Sequence, residues 1–311
     1  MNDELGTMCV DWEQRIDFDR MRRDRVKKAQ AAIAASEAAG LAANFGSMVK
    51  PFHAGQAARG GLLAARLAAA GMTAAVDAIE HPMGFLAAVS PAGNVDRDGA
   101  AQIGARWRIL KSRLNIKKYP LCYSTHRTID GMLDVLARRP LAAVDIAAIE
   151  VETSTTQAAV LRNHRPQNGL DAKFSEEFAM AAAVIARRVG LAELSDGFVA
   201  RPDVQALMAK VHIRDTGEPD PEDPVFARED GLRVVLTNGE SLSRRIRYAR
   251  GHAREPLRED ELWAKFRDCV EPQAGEGTTR ELFDALWAID RLTGAAALPT
   301  VKETDRPAKA A

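Results

Sequence analysis

The chain has 311 residues, 46% of them hydrophobic and 28% charged, an ordinary globular composition that excludes a disordered or collagen-like chain. Its 43 basic side chains are matched by 43 acidic ones, so there is none of the electrostatic excess that non-specific nucleic-acid binding requires. Aromatic residues are only 5% while alanine is abundant, which points to helices packed closely through small side chains.

Met1 to Arg25 is crowded with charge and has no apolar stretch of signal-peptide kind, and the Ala-rich run Leu62 to Val76 is broken by Arg66 and Gly71. No membrane span is expected. From Asp17 to Ala38, Phe18, Met21, Val26, Ala29 and Ile33 form a helical apolar stripe. Its basic cluster, Arg20 to Lys28, is interleaved with acids and reads as a solvated face. A glycine- and alanine-rich helix follows from Gly55, bare enough on its small side to be expected buried, and Gly71 ends it. Val76 to Val89 reads as a short helix and turn, before a loop around Pro91, Gly93 and Asn94.

Beyond Trp107 the pattern changes. Pro120 extends Ile116 to His126, and Thr128 to Arg138 is an amphipathic helix with Ile129, Met132, Leu133 and Leu136 inward. Ile146 to Thr153 and Lys210 to Arg214 alternate with period two, as strands do, with helices over Glu176 to Arg188 and Val204 to Lys210 between them. Leu232 to Leu236 and Leu242 to Tyr248 flank Asn238 and Gly239, a hairpin signature because both residues tolerate positive φ. Glu259 to Cys269 and Thr279 to Leu292 are helical, and Pro299 to Ala311 reads as a frayed tail. The order is helical, then α+β, then helical.

Cys9, Cys122 and Cys269 are odd in number and far apart, without metal-ligand spacing, so a reduced, cytoplasmic protein with no metal and no cofactor is expected. Nucleotide, hydrolase and zincin motifs do not occur. Two clusters carry possible chemistry: Ser47, Lys50 and His53 ahead of the glycine-rich helix, and Lys117, Lys118, Tyr119, Pro120, Cys122 and His126 ahead of the next. Each has a plain alternative, a solvated lysine or a structural histidine. Together they suit a polycarboxylate, because elimination of water or carbon dioxide beside a carboxylate builds negative charge that fixed cations stabilise. His and Lys can exchange the proton if burial tunes them.

The runs GSMVKPFHAGQAARGGLLAARLAAAGMT, IKKYPLCYSTHRTIDGMLDVL, DAKFSEEFAMAAAV, RPDVQALMAKVHI and ARGHAREPLREDELWAKF resemble, in order, the MmgE/PrpD family. Its members include 2-methylcitrate dehydratase, cis-aconitate decarboxylase and iminodisuccinate epimerase. The resemblance implies an all-helical domain with an inserted α+β lid, a homodimer, and a site in the cleft between the domains. The expected divisions are residues 1–45, 46–109 (helical), 110–254 (lid), 255–295 (helical) and 296–311 (tail).

Carried over by motif, Lys50, Lys117, His53 and His126 are the expected catalytic residues, and Ser47, Cys122 and Phe178 the expected substrate contacts. Cys122 stands where cis-aconitate decarboxylase has a histidine, and Phe178 where many members have a tyrosine. Family members carry a further helical segment ahead of the counterpart of Gly46; here VDWEQRIDFDRMRRDRVKKAQAAIAASEAAGL faintly resembles the start of prolidase-like proteins, so residues 1–45 are expected to be an unrelated or replacement helix. The implied function is a lyase of the 2-methylcitrate dehydratase kind acting on a small polycarboxylate, with no nucleic-acid or membrane partner. The alternatives are an epimerase or isomerase, or an incompetent remnant that retains only ligand-binding or dimer surfaces.

Overall fold

The computed structural model describes residues 24–38, 40–90, 92–95, 107, 109–110, 113–216, 219–223, 225–292 and 294–300. The readings for Cys9, the start of the Asp17 helix and the tail after residue 300 lie outside these. The chain divides into two compact units, Met1–Leu110 and Lys111–Ala311. It is mainly helical with a small mixed sheet.

In the first unit, α1 (Asp24–Glu37) packs on α2 (Val49–Ala69), and α3 (Phe85–Val89) follows after turns. The seam is narrow: Ala29 and Ile33 of α1 meet Ala64 and Ala68 of α2. Side chains this small contribute roughly 0.8 kcal/mol for each buried methylene-sized group, so close approach replaces bulk. Gly71, at φ +99°, sits one residue past the α2 cap in a conformation that a Cβ would disfavour, and the helix stops there as expected.

The expectation of a buried glycine-rich helix is corrected. Only Gly60, Ala64, Ala65 and Ala68 of α2 are buried, and a Cβ built on Gly55 or Gly61 would meet nothing within 4 Å. A helix packed on one neighbour buries one stripe; the small residues Gly55, Ala57 and Ala58 lie off that stripe. Leu41, Met48, Phe52, Met72 and Met83 are exposed in the same unit.

The second unit is built on a sheet of order β2-β1-β3-β4. After α4 (His126–Arg138) come β1 (Ile146–Thr153), α5 (Thr155–Val160), α6 (Glu176–Ala186), α7 (Pro202–Met208), β2 (Val211–Asp215), β3 (Asp230–Leu236) and β4 (Ser241–Ile246). β1 pairs parallel with β2 and antiparallel with β3, placing Ile149 between Val211 and Val234. A register shift between Ile146 and Ala148 adds one residue to β1, so Ile146 and Ile149, three apart, are both fully buried. The β3–β4 hairpin turns at Asn238 and Gly239, with Gly239 at φ +88°.

Under the sheet, α4 and α6 supply Ile129, Met132, Phe178, Met180 and Val184 to one continuous core. The other face is charged: Glu150 pairs with Arg214 at 3.3 Å and Arg233 at 3.2 Å, and Glu152 with Arg245 at 2.8 Å. Such exposed pairs contribute about 0–1 kcal/mol each, so the apolar face holds the sheet. Ser175 caps α6 by accepting from the Phe178 N–H at 3.1 Å, and Glu177 complements the helix dipole in its first turn.

The C-terminal helices α8 (Glu259–Ala274) and α9 (Glu276–Trp287) pack together through Trp263, Phe266 and Phe283. They fall in the same unit as residues 111–254. Lys118 Nζ reaches Glu261 Oε1 at 2.8 Å, and the Leu191 N–H donates to Asp268 Oδ2 at 2.9 Å, tying α8 to the sheet-bearing part.

Candidate active site

The loop of residues 113–125 runs without regular structure until a single 3-10 turn, Tyr123–Thr125, leads into α4. Pro120 keeps it extended, and it is anchored where the Cys122 N–H donates to the Lys173 carbonyl at 2.8 Å. Lys117 is exposed on this loop, and its Nζ donates to the Leu121 carbonyl at 3.0 Å, folding the side chain over the bend. Cys122 is half-buried five residues on.

His126, the first residue of α4, is fully buried, with neither ring nitrogen making a hydrogen bond of sound geometry. The Tyr119 ring meets its edge at 5.2 Å between centroids and the Tyr123 ring at 5.0 Å. Burial first, and then the positive charge of Lys117, hold its pKa down to about 3, against the weaker pull of the Leu121 and Tyr119 carbonyls. The imidazole is therefore neutral near pH 7, and enclosure keeps it from touching a ligand in this conformation.

Tyr119 and Asp130 form the firmest polar contact here. The Tyr119 hydroxyl donates to Asp130 Oδ1 at 2.6 Å, and Asp130 Oδ2 accepts the Arg250 N–H at 2.6 Å. Burial, followed by the Asp130 charge, raises the phenol far above its usual range. Deeper in the core, Glu176 accepts from the Thr128 hydroxyl, and burial pushes its pKa well up. Burial also raises Asp230 to about 6, although Arg127 lies 3.5 Å from it and Thr153 donates to it at 3.1 Å. The sequence reading missed these carboxyls, because their surroundings come from residues 48 and 77 positions away.

Phe178 lies fully inside the core, edge-on to Phe198 at 6.3 Å, and shows no surface to solvent. Lys117, Cys122 and His126 thus share one loop-and-helix junction, and Phe178 lies in the packing of the same unit. Ser47, Lys50 and His53 cluster in the other unit, at the first turn of α2. There the Ser47 hydroxyl donates to the Asn44 carbonyl at 2.7 Å, Lys50 Nζ lies 5.8 Å from the centre of the Phe45 ring, and His53 packs beside Gly40. Among the described residues no group of three or more His, Cys, Asp or Glu is arranged to hold a metal ion, and no helix is long and apolar enough to cross a membrane.

Comparison with known proteins matches residues 119–289 to the MmgE/PrpD C-terminal domain and residues 20–98 to the MmgE/PrpD N-terminal domain. The second match begins ahead of Gly46, so it takes in α1 and much of the segment expected to be unrelated. Cis-aconitate decarboxylase of Aspergillus terreus is 25% identical over 278 residues, covering 84% of this chain and 56% of that protein. Cis-aconitate decarboxylase of Homo sapiens is 25% identical over 286 residues, covering 90% of this chain and 58% of that protein. The chain spans a little over half the length of these curated relatives.

Proposed function

The chain belongs to the MmgE/PrpD family, and on that premise we propose that it is a lyase acting on a small polycarboxylate, with Lys117 as the cation that receives a substrate carboxylate. The observation that carries this reading is the placement of Lys117: an exposed ammonium, steadied by the Leu121 carbonyl, on a loop whose inner side is a neutral, enclosed imidazole. Because His126 stays uncharged near neutral pH, it adds no competing cation and takes no proton from the ammonium.

In elimination of carbon dioxide, the C–C bond to one carboxylate breaks and its electron pair enters a conjugated carboxylate, which becomes enolate-like until a proton arrives at carbon. In elimination of water, a base takes the proton α to a carboxylate and hydroxide leaves with a proton from an acid. Both routes pass through the same enolate-like charge, and a fixed ammonium beside it lowers the barrier. The names of the relatives favour decarboxylation of a cis-aconitate-like tricarboxylate over dehydration of 2-methylcitrate. Cys122 and Phe178, where the resemblance implies histidine and tyrosine, remove an imidazole and a phenol, so the proton comes from another group.

On this reading Lys50 also binds the substrate, His53 assists the proton transfer, and the working form is a homodimer. The test is binding and turnover of cis-aconitate by the chain and by Lys117→Ala and Lys50→Ala. Each variant should lose affinity if both cations hold one ligand; if Lys50→Ala binds like the parent chain, the shared-substrate reading fails.

A further inference from the structure

A cavity of about 640 Å³ opens between the loop after α6 and the helix α8, with Leu133, Val189, Ala264 and Pro272 among its apolar walls. Six cationic side chains line it against four carboxylates. Three of the four carboxylates are ion-paired, and Asp268 keeps its charge. Glu261 holds Lys118 at 2.8 Å, Asp260 holds Arg258 at 3.0 Å, and Glu271 lies 3.9 Å from Arg267. Asp268 accepts the Leu191 N–H at 2.9 Å, and Arg188 is held by Glu193 at 2.9 Å.

Two cations remain. Arg187 donates to a neutral group, the Leu141 carbonyl, and Lys265, half-buried on α8, makes no ion pair or hydrogen bond among the described residues. Arg187 also occupies the left-handed region, φ 57° and ψ 16°, where it caps the end of α6. Glycine suits such a cap, and a long β-carbon-bearing side chain is strained there. A strained residue that supplies one of two cations left without a carboxylate partner in one cavity is better explained by what the side chain binds than by the turn it makes.

We propose that this cavity is a binding site for a small oxyanion, a phosphate or a short carboxylic acid, held between the Arg187 guanidinium and the Lys265 ammonium. The guanidinium fork offers N–H groups beyond the one spent on Leu141, and the ammonium supplies a point charge across the apolar floor. Lys117 does not itself line this cavity, although its neighbours Lys118 and Tyr119 do, and the proposal does not depend on the lyase reading.

Isothermal titration calorimetry of the whole chain at low ionic strength tests it, with inorganic phosphate in one arm and succinate in the other. Saturable binding of at least one is expected, and the tighter of the two identifies the ligand type. Lys265→Met and Arg187→Gly should each weaken that binding at least tenfold. Arg187→Gly should also melt no lower than the parent chain, since glycine takes the left-handed cap without strain. Lys117→Ala should bind like the parent, which separates this site from the proposed substrate site. Absence of saturable binding in both arms, parent-like affinity in either cavity variant, or loss of binding in Lys117→Ala would overturn the assignment.

Discussion

Tyr119 and Asp130, eleven residues apart, are joined by a hydroxyl-to-carboxylate hydrogen bond of 2.6 Å that clamps the Lys117 loop onto the first turns of α4. Asp130 is buried, and its second oxygen is taken by the Arg250 N–H. Tyr119→Phe would leave Asp130 Oδ1 in the protein interior without its partner. Loss of about 1–3 kcal/mol in the unfolding free energy, measured by urea denaturation, is expected. An unchanged midpoint and slope would mean that the clamp carries no stability.

His126 sets a pH dependence whose sign follows from its depressed pKa. The ring binds a proton less readily folded than unfolded, so its contribution is complete above the ordinary value of 6.5 and is lost as pH falls toward about 3. Its nitrogens make no sound hydrogen bond, so His126→Phe removes that penalty at little cost in contacts. The variant should gain about 2 kcal/mol over the parent at pH 5 and little at pH 8, from 1.36 kcal/mol per pKa unit. A gain of equal size at both pH values would trace the effect to packing instead.

Asp230 tilts the balance the other way. Its pKa rises from 3.8 to about 6 on folding, so its contribution is full below 3.8 and is lost as pH rises through 6. Asp230→Asn should therefore make stability rise more steeply with pH between those limits, because the rise due to His126 is no longer opposed, while Thr153 and Arg127 remain beside it. A rise no steeper than the parent's would contradict the sign.

The hairpin at Asn238 and Gly239 and the strand β1 were legible in the sequence because each is a local pattern: a turn demanding positive φ, and alternation against one apolar face. Most of the helices were legible for the same reason, although α5 was not anticipated and α8 runs on through Pro272 to Ala274, past the expected end at Cys269. The partial exposure of α2 and the enclosure of His126 were not legible. A bare helix and a histidine beside a lysine have the same local pattern whether covered or open, and the covering residues lie far off in sequence. Arg187 gave no local signal either, since its left-handed cap sits where glycine would be looked for.

Met48, Phe52 and Met83, each more than half exposed, belong to a unit whose seam is built from alanine. Burying such surface drives association. The mean mass in size-exclusion chromatography with light scattering should rise above 33.8 kDa as concentration increases, and Met48→Ser with Phe52→Ser should shift it back. A mass that stays at one chain across the range would contradict the proposed homodimer.

The central claim is Lys117-dependent lyase chemistry on a small polycarboxylate, and a direct assay of the purified chain with cis-aconitate and with 2-methylcitrate tests it, following loss of substrate and release of carbon dioxide. The account predicts turnover of one of them, with kcat/KM reduced about 100-fold or more in Lys117→Ala, the usual size of effect when one stabilising group is removed from a developing anion. No turnover of either by the folded chain, or turnover that Lys117→Ala leaves intact, would contradict it.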